Sequence, residues 1–162
     1  MVVKSSAVIV RQLDLGYLAF FLGLRINELV MDRTLKEGFT GVRESHGYLI
    51  QHLIESERTI TELAKRMDVT QQAASKIVAE LIHIGILEAI PAQDRRAKRI
   101  RLSQRGWRCV RLGRRTRARI DNVLVRATGR RSYEKAKSTL LTGLRALGGV
   151  ERIRSRRIRA PR

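Results

Sequence analysis

The sequence predicts a mainly α-helical chain carrying one small β-hairpin, and three observations predict it. Apolar residues recur at three- and four-residue spacing over most of the 162 residues, the period of helices with a buried face. Ile86–Ile90 (ILEAI) and Arg99–Ser103 (RIRLS) instead show the partly alternating, β-branched pattern of short strands. Hydrophobic content of 43% supports a real core, and aromatics at 4% make that core mostly aliphatic.

The elements follow in order. From about Asp14 to Lys36 there is no proline, and Leu15, Leu18, Leu22, Ile26 and Leu29 keep helical spacing, with Asp14 placed to cap the N-terminus. Phe20, Phe21, Leu24 and Val30 give this helix more than one apolar face. It fits either a central core helix or one shared with a second copy of the chain. After a break at Gly38 and Gly41 comes a second helix near Glu44–Ser56, with Tyr48, Leu49, Leu53 and Ile54 inward. Thr59 and Glu62 have the spacing of a capping box, opening a short helix that ends near Asp68. Thr70 caps the next, which runs to Ile84 and stops at Gly85. Its Ala74, Ile77, Val78 and Leu81 form a buried stripe, with Gln71, Gln72, Ser75 and Lys76 on the opposite side. The two strands then flank PAQDRRAK, whose Asp94, Arg95, Arg96 and Lys98 make a charged hairpin tip. Ser103 caps a long helix reaching roughly Ala127, and Ser132 caps another with the stripe Ala136, Leu140, Leu144 and Leu147, ended by Gly148-Gly149. The tail, residues 151–162, has too little apolar content to fold alone.

Charge is the strongest functional signal. The net value is +19, and it lies in two blocks: residues 94–119 hold twelve Lys/Arg against one acid, and residues 151–162 hold six Arg against one Glu. Like charge so concentrated raises the cost of folding unless an anion is meant to meet it, which makes the blocks a footprint for a polyanion. A single cysteine, Cys109, excludes an internal disulfide and fits a reducing compartment. The N-terminus has no apolar run suited to a secretory signal, and Leu15–Leu24 is about half as long as a membrane-spanning helix requires. A cytoplasmic protein is expected. No phosphate-cradling glycine loop, nucleophile elbow or metal-ligand cluster is present, and His46, His52 and His83 are not at chelating spacings. No enzyme, metal or cofactor is expected.

Two short helices joined by about three residues and followed by a charged hairpin form a winged helix-turn-helix. The chemistry follows from the grooves of DNA. In the major groove each base pair shows a distinct donor and acceptor pattern, and glutamines such as Gln71 and Gln72 can pair bidentately with adenine. Lys76 can reach guanine or phosphate, Thr70 and Ser75 can bond backbone oxygens, and small Ala73 lets the helix approach closely. Arginine is weakly hydrated and suits the minor groove, where Arg95 and Arg96 at the tip can reach, with Lys98 beside them. Asp94 would hold one of these arginines by an ion pair. In RIRLS, Ile100 and Leu102 pack inward and Arg99 and Arg101 turn out.

ITELAKRMDVTQQAASKIVAELIHIGIL followed by DRRAKRIRLSQRG resembles the MarR family of transcriptional regulators over most of the chain, and the Asp-Arg-Arg wing is similar to the subgroup resembling SlyA. The resemblance implies that Arg95 enters the minor groove and that the helix after Thr70 reads the major groove. It also implies that the first and last two helices intertwine with a second subunit. Residues 1–42 and 104–150 then form a helical dimerisation region, 43–103 the winged helix-turn-helix, and 151–162 a basic tail. The expected function is a homodimeric, sequence-specific regulator, a repressor reading a near-palindromic operator and released by a small effector. Such an effector would be an anionic aromatic ligand, and position suggests Arg43, His46 and Tyr48 as its lining. The sequence departs from the pattern in the arginines crowding the helix after the wing (Arg105, Arg108, Arg111, Arg114, Arg115, Arg117, Arg119) and in the Arg-rich tail. These favour the alternative, a non-specific or architectural nucleic-acid binder, whereas Gln71 and Gln72 favour specific reading.

Overall fold

The computed structural model describes residue 10 and residues 12–90 and 98–154, except for the side chains of Arg152 and Arg154. Helix α1 (Leu15–Lys36) starts where Asp14 accepts from the Tyr17 backbone N–H at 2.9 Å. Helix α2 (His46–Ile50) continues only as a 3-10 turn over Gln51–Leu53, so the helix expected over 44–56 is much shorter. Helix α3 (Ile60–Met67) carries the capping box in full: Glu62 N–H donates to the Thr59 hydroxyl and the Thr59 N–H donates to the Glu62 carboxylate. The latter bond holds the Glu62 carboxyl below its usual range. Helix α4 (Gln71–His83) begins at Thr70, whose hydroxyl accepts from Ala73 N–H at 3.1 Å.

Strands β1 (Arg58–Thr59), β2 (Leu87–Ile90) and β3 (Arg99–Leu102) form an antiparallel sheet in the order β1-β3-β2. The hairpin pairs Leu87 with Leu102 and Ala89 with Ile100. The third strand, β1, goes beyond the expected hairpin; Arg58 and the α3 cap Thr59 pair with Ile100 and Arg99. Helix α5 (Gln104–Thr128) is capped by Ser103, whose hydroxyl accepts from Gly106 N–H at 3.0 Å. Helix α6 (Arg130–Ala146) begins after Gly129 rather than Ser132, because Gly129 at φ 81° turns the chain and Arg130 already has helical geometry. Helix α7 (Val150–Arg154) places the start of the basic tail, expected to be unstructured, in a helical turn.

The core lies between α2, α3, α4 and the sheet. Leu49, Leu63, Leu81 and Ile86 are fully buried there, with Val78, Leu87, Ile100 and Leu102 nearly so. Ala74, Val78 and Leu81 are the buried members of the expected stripe, and Ile77 sits at its half-buried margin. Outside this core, α1 packs along α5, where Arg117 Nη2 donates to Asn27 Oδ1 at 3.3 Å. The other faces of α1 and α6 stay open: Leu15, Phe20, Phe21 and Leu22 are exposed on one helix and Leu140, Leu141 and Leu144 on the other. No residue of α6 is buried. Among the described residues, no helix is long and apolar enough to cross a membrane.

Candidate nucleic-acid interface

The turn between α3 and α4 sets the angle of α4. Asp68 adopts a left-handed conformation (φ 55°, ψ 49°), tolerated in Asp more than in most side chains, while Val69 N–H returns to the Ala64 carbonyl at 3.1 Å. Two residues later Thr70 starts α4. Burial of Ala74, Val78 and Leu81 turns the other side of α4 outward, and Thr70, Gln71, Gln72, Ala73, Ser75 and Lys76 are all exposed. The six form one polar surface over the first two turns of the helix. Because the Thr70 hydroxyl uses a lone pair for its cap, its hydrogen stays available for an outside acceptor.

The far end of α4 is fixed from behind. Glu80 meets both the Arg43 guanidinium and the His46 ring, whose Nε2 lies 3.3 Å from its Oε2. Arg43 N–H donates to His46 Nδ1 at 3.2 Å, and His46 Nε2 lies within hydrogen-bond distance of both the Arg43 guanidinium and Glu80. Burial pushes the His46 pKa down, helped by the Arg43 charge and opposed by the bond to Glu80.

The three residues suggested to line a small-effector site occupy different surroundings. His46 is 1% exposed and ties α2 to α4, and Tyr48 lies on the surface. Arg43 borders a cavity of about 240 Å³ between α1, α2 and α5, together with Met31, Ile54 and Cys109, and the other two do not line it. Cys109 itself is buried, and that burial raises its thiol pKa against the pull of Arg105.

At the base of the wing, Ile100 and Leu102 are buried and Arg99 and Arg101 face out, as their alternation predicts. Both arginines have carboxylate partners: Arg99 pairs with Glu57 at 3.2 Å and Arg101 with Glu88 across the hairpin at 2.6 Å. Half-exposed pairs of this kind add little stability, but they take two cations out of the apparent excess. Sequence reasoning missed them. Glu88 was within reach of it, since aligning the two strands puts it opposite Arg101. Glu57 was not, because its approach depends on β1. Asp94, Arg95 and Arg96 lie outside the described residues, while Lys98 is exposed at the foot of β3.

Ser103 and Gly106 join the wing to the helical scaffold. Ser103 N–H donates to the Ile86 carbonyl at 3.0 Å, and its hydroxyl donates to Gly85 O at 2.6 Å. A Cβ at Gly106 would lie 2.2 Å from that same Ile86 oxygen, so only glycine permits this crossing. Among the described residues no group of three or more His, Cys, Asp or Glu side chains could hold a metal ion.

Comparison with known proteins places this geometry. A family model described as MarR family matches residues 38–97, which include α2, α3, α4, β1 and β2. No curated protein matches the chain in sequence. Among solved structures, the chain is similar to MepR, a transcription regulator of the Staphylococcus aureus multidrug efflux pump MepA, with 18% identity and a TM-score of 0.66 over 83% of this chain and 99% of that one. YusO from Bacillus subtilis gives 17% identity and a TM-score of 0.67, covering 90% and 99%. A MepR mutant bound to an oligodeoxyribonucleotide gives 22% and 0.57, covering 84% and 99%. The fold is the winged helix-turn-helix with flanking helices that these structures share.

Proposed function

We propose that the chain is a transcription regulator of the MarR family, close to its SlyA-like subgroup, that binds double-stranded DNA as a homodimer. The polar surface at the start of α4 carries the reading. It is held outward by a buried stripe, capped by Thr70 and anchored behind by Glu80, and it presents two adjacent amides where a major groove would receive them. In this reading Gln71 and Gln72 contact base edges, Lys76, Ser75 and Thr70 hold phosphate or base oxygens, and Ala73 allows close approach. Arg95 and Arg96 enter the minor groove, with Lys98 at the adjoining backbone and Asp94 fixing the tip. The matched family model and the oligodeoxyribonucleotide held by the MepR mutant support this assignment.

The open apolar faces of α1 and α6 support the partner. Covering these faces with a second copy makes residues 1–42 and 104–150 the dimerisation region and 43–103 the reading unit. A two-fold dimer then reads a near-palindrome with half-sites about one helical turn apart. A repressor follows if the operator overlaps a promoter, and the Arg43-lined cavity is where a small effector would release it.

The test is a salt titration on two duplexes of equal length, one from upstream of the gene and one scrambled. A preference of about a thousandfold or more at physiological salt is expected of a specific regulator. Equal affinities that fall together with salt, with no better site found by selection from random duplexes, would establish the architectural alternative instead.

A further inference from the structure

A second concentration of arginine lies away from the reading surface. The C-terminal end of α1 and the first three turns of α5 enclose a half-open groove of about 430 Å³. Its floor is Phe39 and Leu112, both buried. Arg105 forms one end: its guanidinium lies 4.9 Å from the Phe39 ring centroid and donates to Gly38 O at 2.7 Å. Along the wall stand Arg108, Arg111 and Arg115, exposed and paired with no described carboxylate. Glu37 is the groove's one acid, and Arg33 already neutralises it. The unpaired three span about 10 Å along the helix axis, from seven residues at about 1.5 Å each.

We propose that this groove binds a compact oligophosphate, a small anion carrying several phosphate groups in a row. Three guanidinium forks, spaced by three and then four residues on one face, suit successive phosphates, since each fork can hold two oxygens through charge-assisted bonds. The volume matches small-ligand sites, which run to roughly 300–1000 Å³. Position separates the groove from the DNA contacts. A Cβ at Gly85 would touch the Arg105 side chain at 3.6 Å, so the groove adjoins the C-terminal end of α4. Gln71 and Gln72 are at the other end of that helix, about 20 Å away for thirteen residues at roughly 1.5 Å each. A concave site behind the reading helix fits a small anion better than the convex backbone of the same duplex. The inference does not depend on sequence-specific reading.

The test is calorimetric titration of the full chain with inorganic triphosphate at moderate salt. The double variant R111Q/R115Q is compared with R126Q/R131Q, which removes the same charge from exposed positions outside the groove. Circular dichroism checks that both remain folded. The groove variant should bind triphosphate at least about tenfold more weakly, from the loss of two charge-assisted forks, and the control should change less than about threefold. Absence of binding to the native chain, or equal loss in both variants, would overturn the site. So would loss of affinity for a random duplex in R111Q/R115Q without loss for triphosphate, because the arginines would then serve the nucleic-acid backbone.

Discussion

Gly106→Ala and Gly113→Ala make the same substitution on the same helix, and the structure assigns them opposite signs. At Gly106 the added methyl would stand 2.2 Å from the Ile86 oxygen and 3.1 Å from a Leu102 methyl. An ordinary carbon–oxygen contact is about 3.3–3.6 Å, so α5 must back away by roughly 1 Å. Forced overpacking costs about 1–3 kcal/mol by itself. The retreat also stretches the Ser103 bonds to Gly85 and Ile86 and its cap on Gly106, each worth about 1 kcal/mol. The total loss is about 3–5 kcal/mol, a large part of the 5–15 kcal/mol typical of a domain. At Gly113 nothing lies within 4 Å of the new methyl, and Ala should stabilise the helix by about 0.5–1 kcal/mol. Urea unfolding followed by circular dichroism measures both, with an unchanged slope confirming that folded-state stability is compared. A Gly106→Ala loss below about 1 kcal/mol, or a Gly113→Ala loss of similar size, would refute the close crossing of α5 over Ile86.

Four further outcomes are expected. Gln72→Ala should weaken binding to a selected operator by about 1–3 kcal/mol and leave scrambled DNA unaffected; equal loss on both in a fluorescence-anisotropy titration would remove Gln72 from base reading. Leu140→Asp should shift the chain from dimer to monomer in sedimentation equilibrium, because burying an unpaired carboxylate opposes association; an unchanged dimer would move the interface off α6. His46 has a depressed folded pKa, so the unfolded chain binds more protons as pH falls below the ordinary histidine value of about 6.5. Its stabilising share is complete above that pH and lost below it, and His46→Gln should flatten the fall in stability between about pH 7 and 5; parallel curves would show that the ring does not carry the titration. The Cys109 thiol, buried and raised in pKa, should react with a thiol-specific disulfide reagent only as fast as the chain opens, and prompt reaction in the native state would contradict its burial.

What the sequence made legible was local. Asp14, Thr59, Thr70 and Ser103 all cap where their spacing places them, because a cap is decided within three residues. The α4 stripe was equally readable, since one buried face imposes the helical period. The misses depend on distance or on competing local signals. Two-residue β1 has no pattern of its own and exists because β3 passes beside it. Ser132 was a plausible cap, yet Gly129 had already turned the chain. The pairing of His46 with Glu80 was not legible, because nothing in the sequence says that Glu80 comes to it. The arginine groove was visible only as crowding on α5, since its other wall is the end of α1, about seventy residues earlier.

The contact of Asn27 with Arg117 spans ninety residues, and the whole reading unit lies between them. Bringing α1 to α5 therefore closes a long loop, and that entropy must be met before the contact returns anything. The core of α2, α3, α4 and the sheet needs shorter closures than that, such as the roughly forty residues between β1 and β3, and should form first when the chain is released from denaturant. Docking of the flanking helices then becomes the slow event. In refolding, α4 takes shape before the scaffold that will hold it at a fixed distance from anything else.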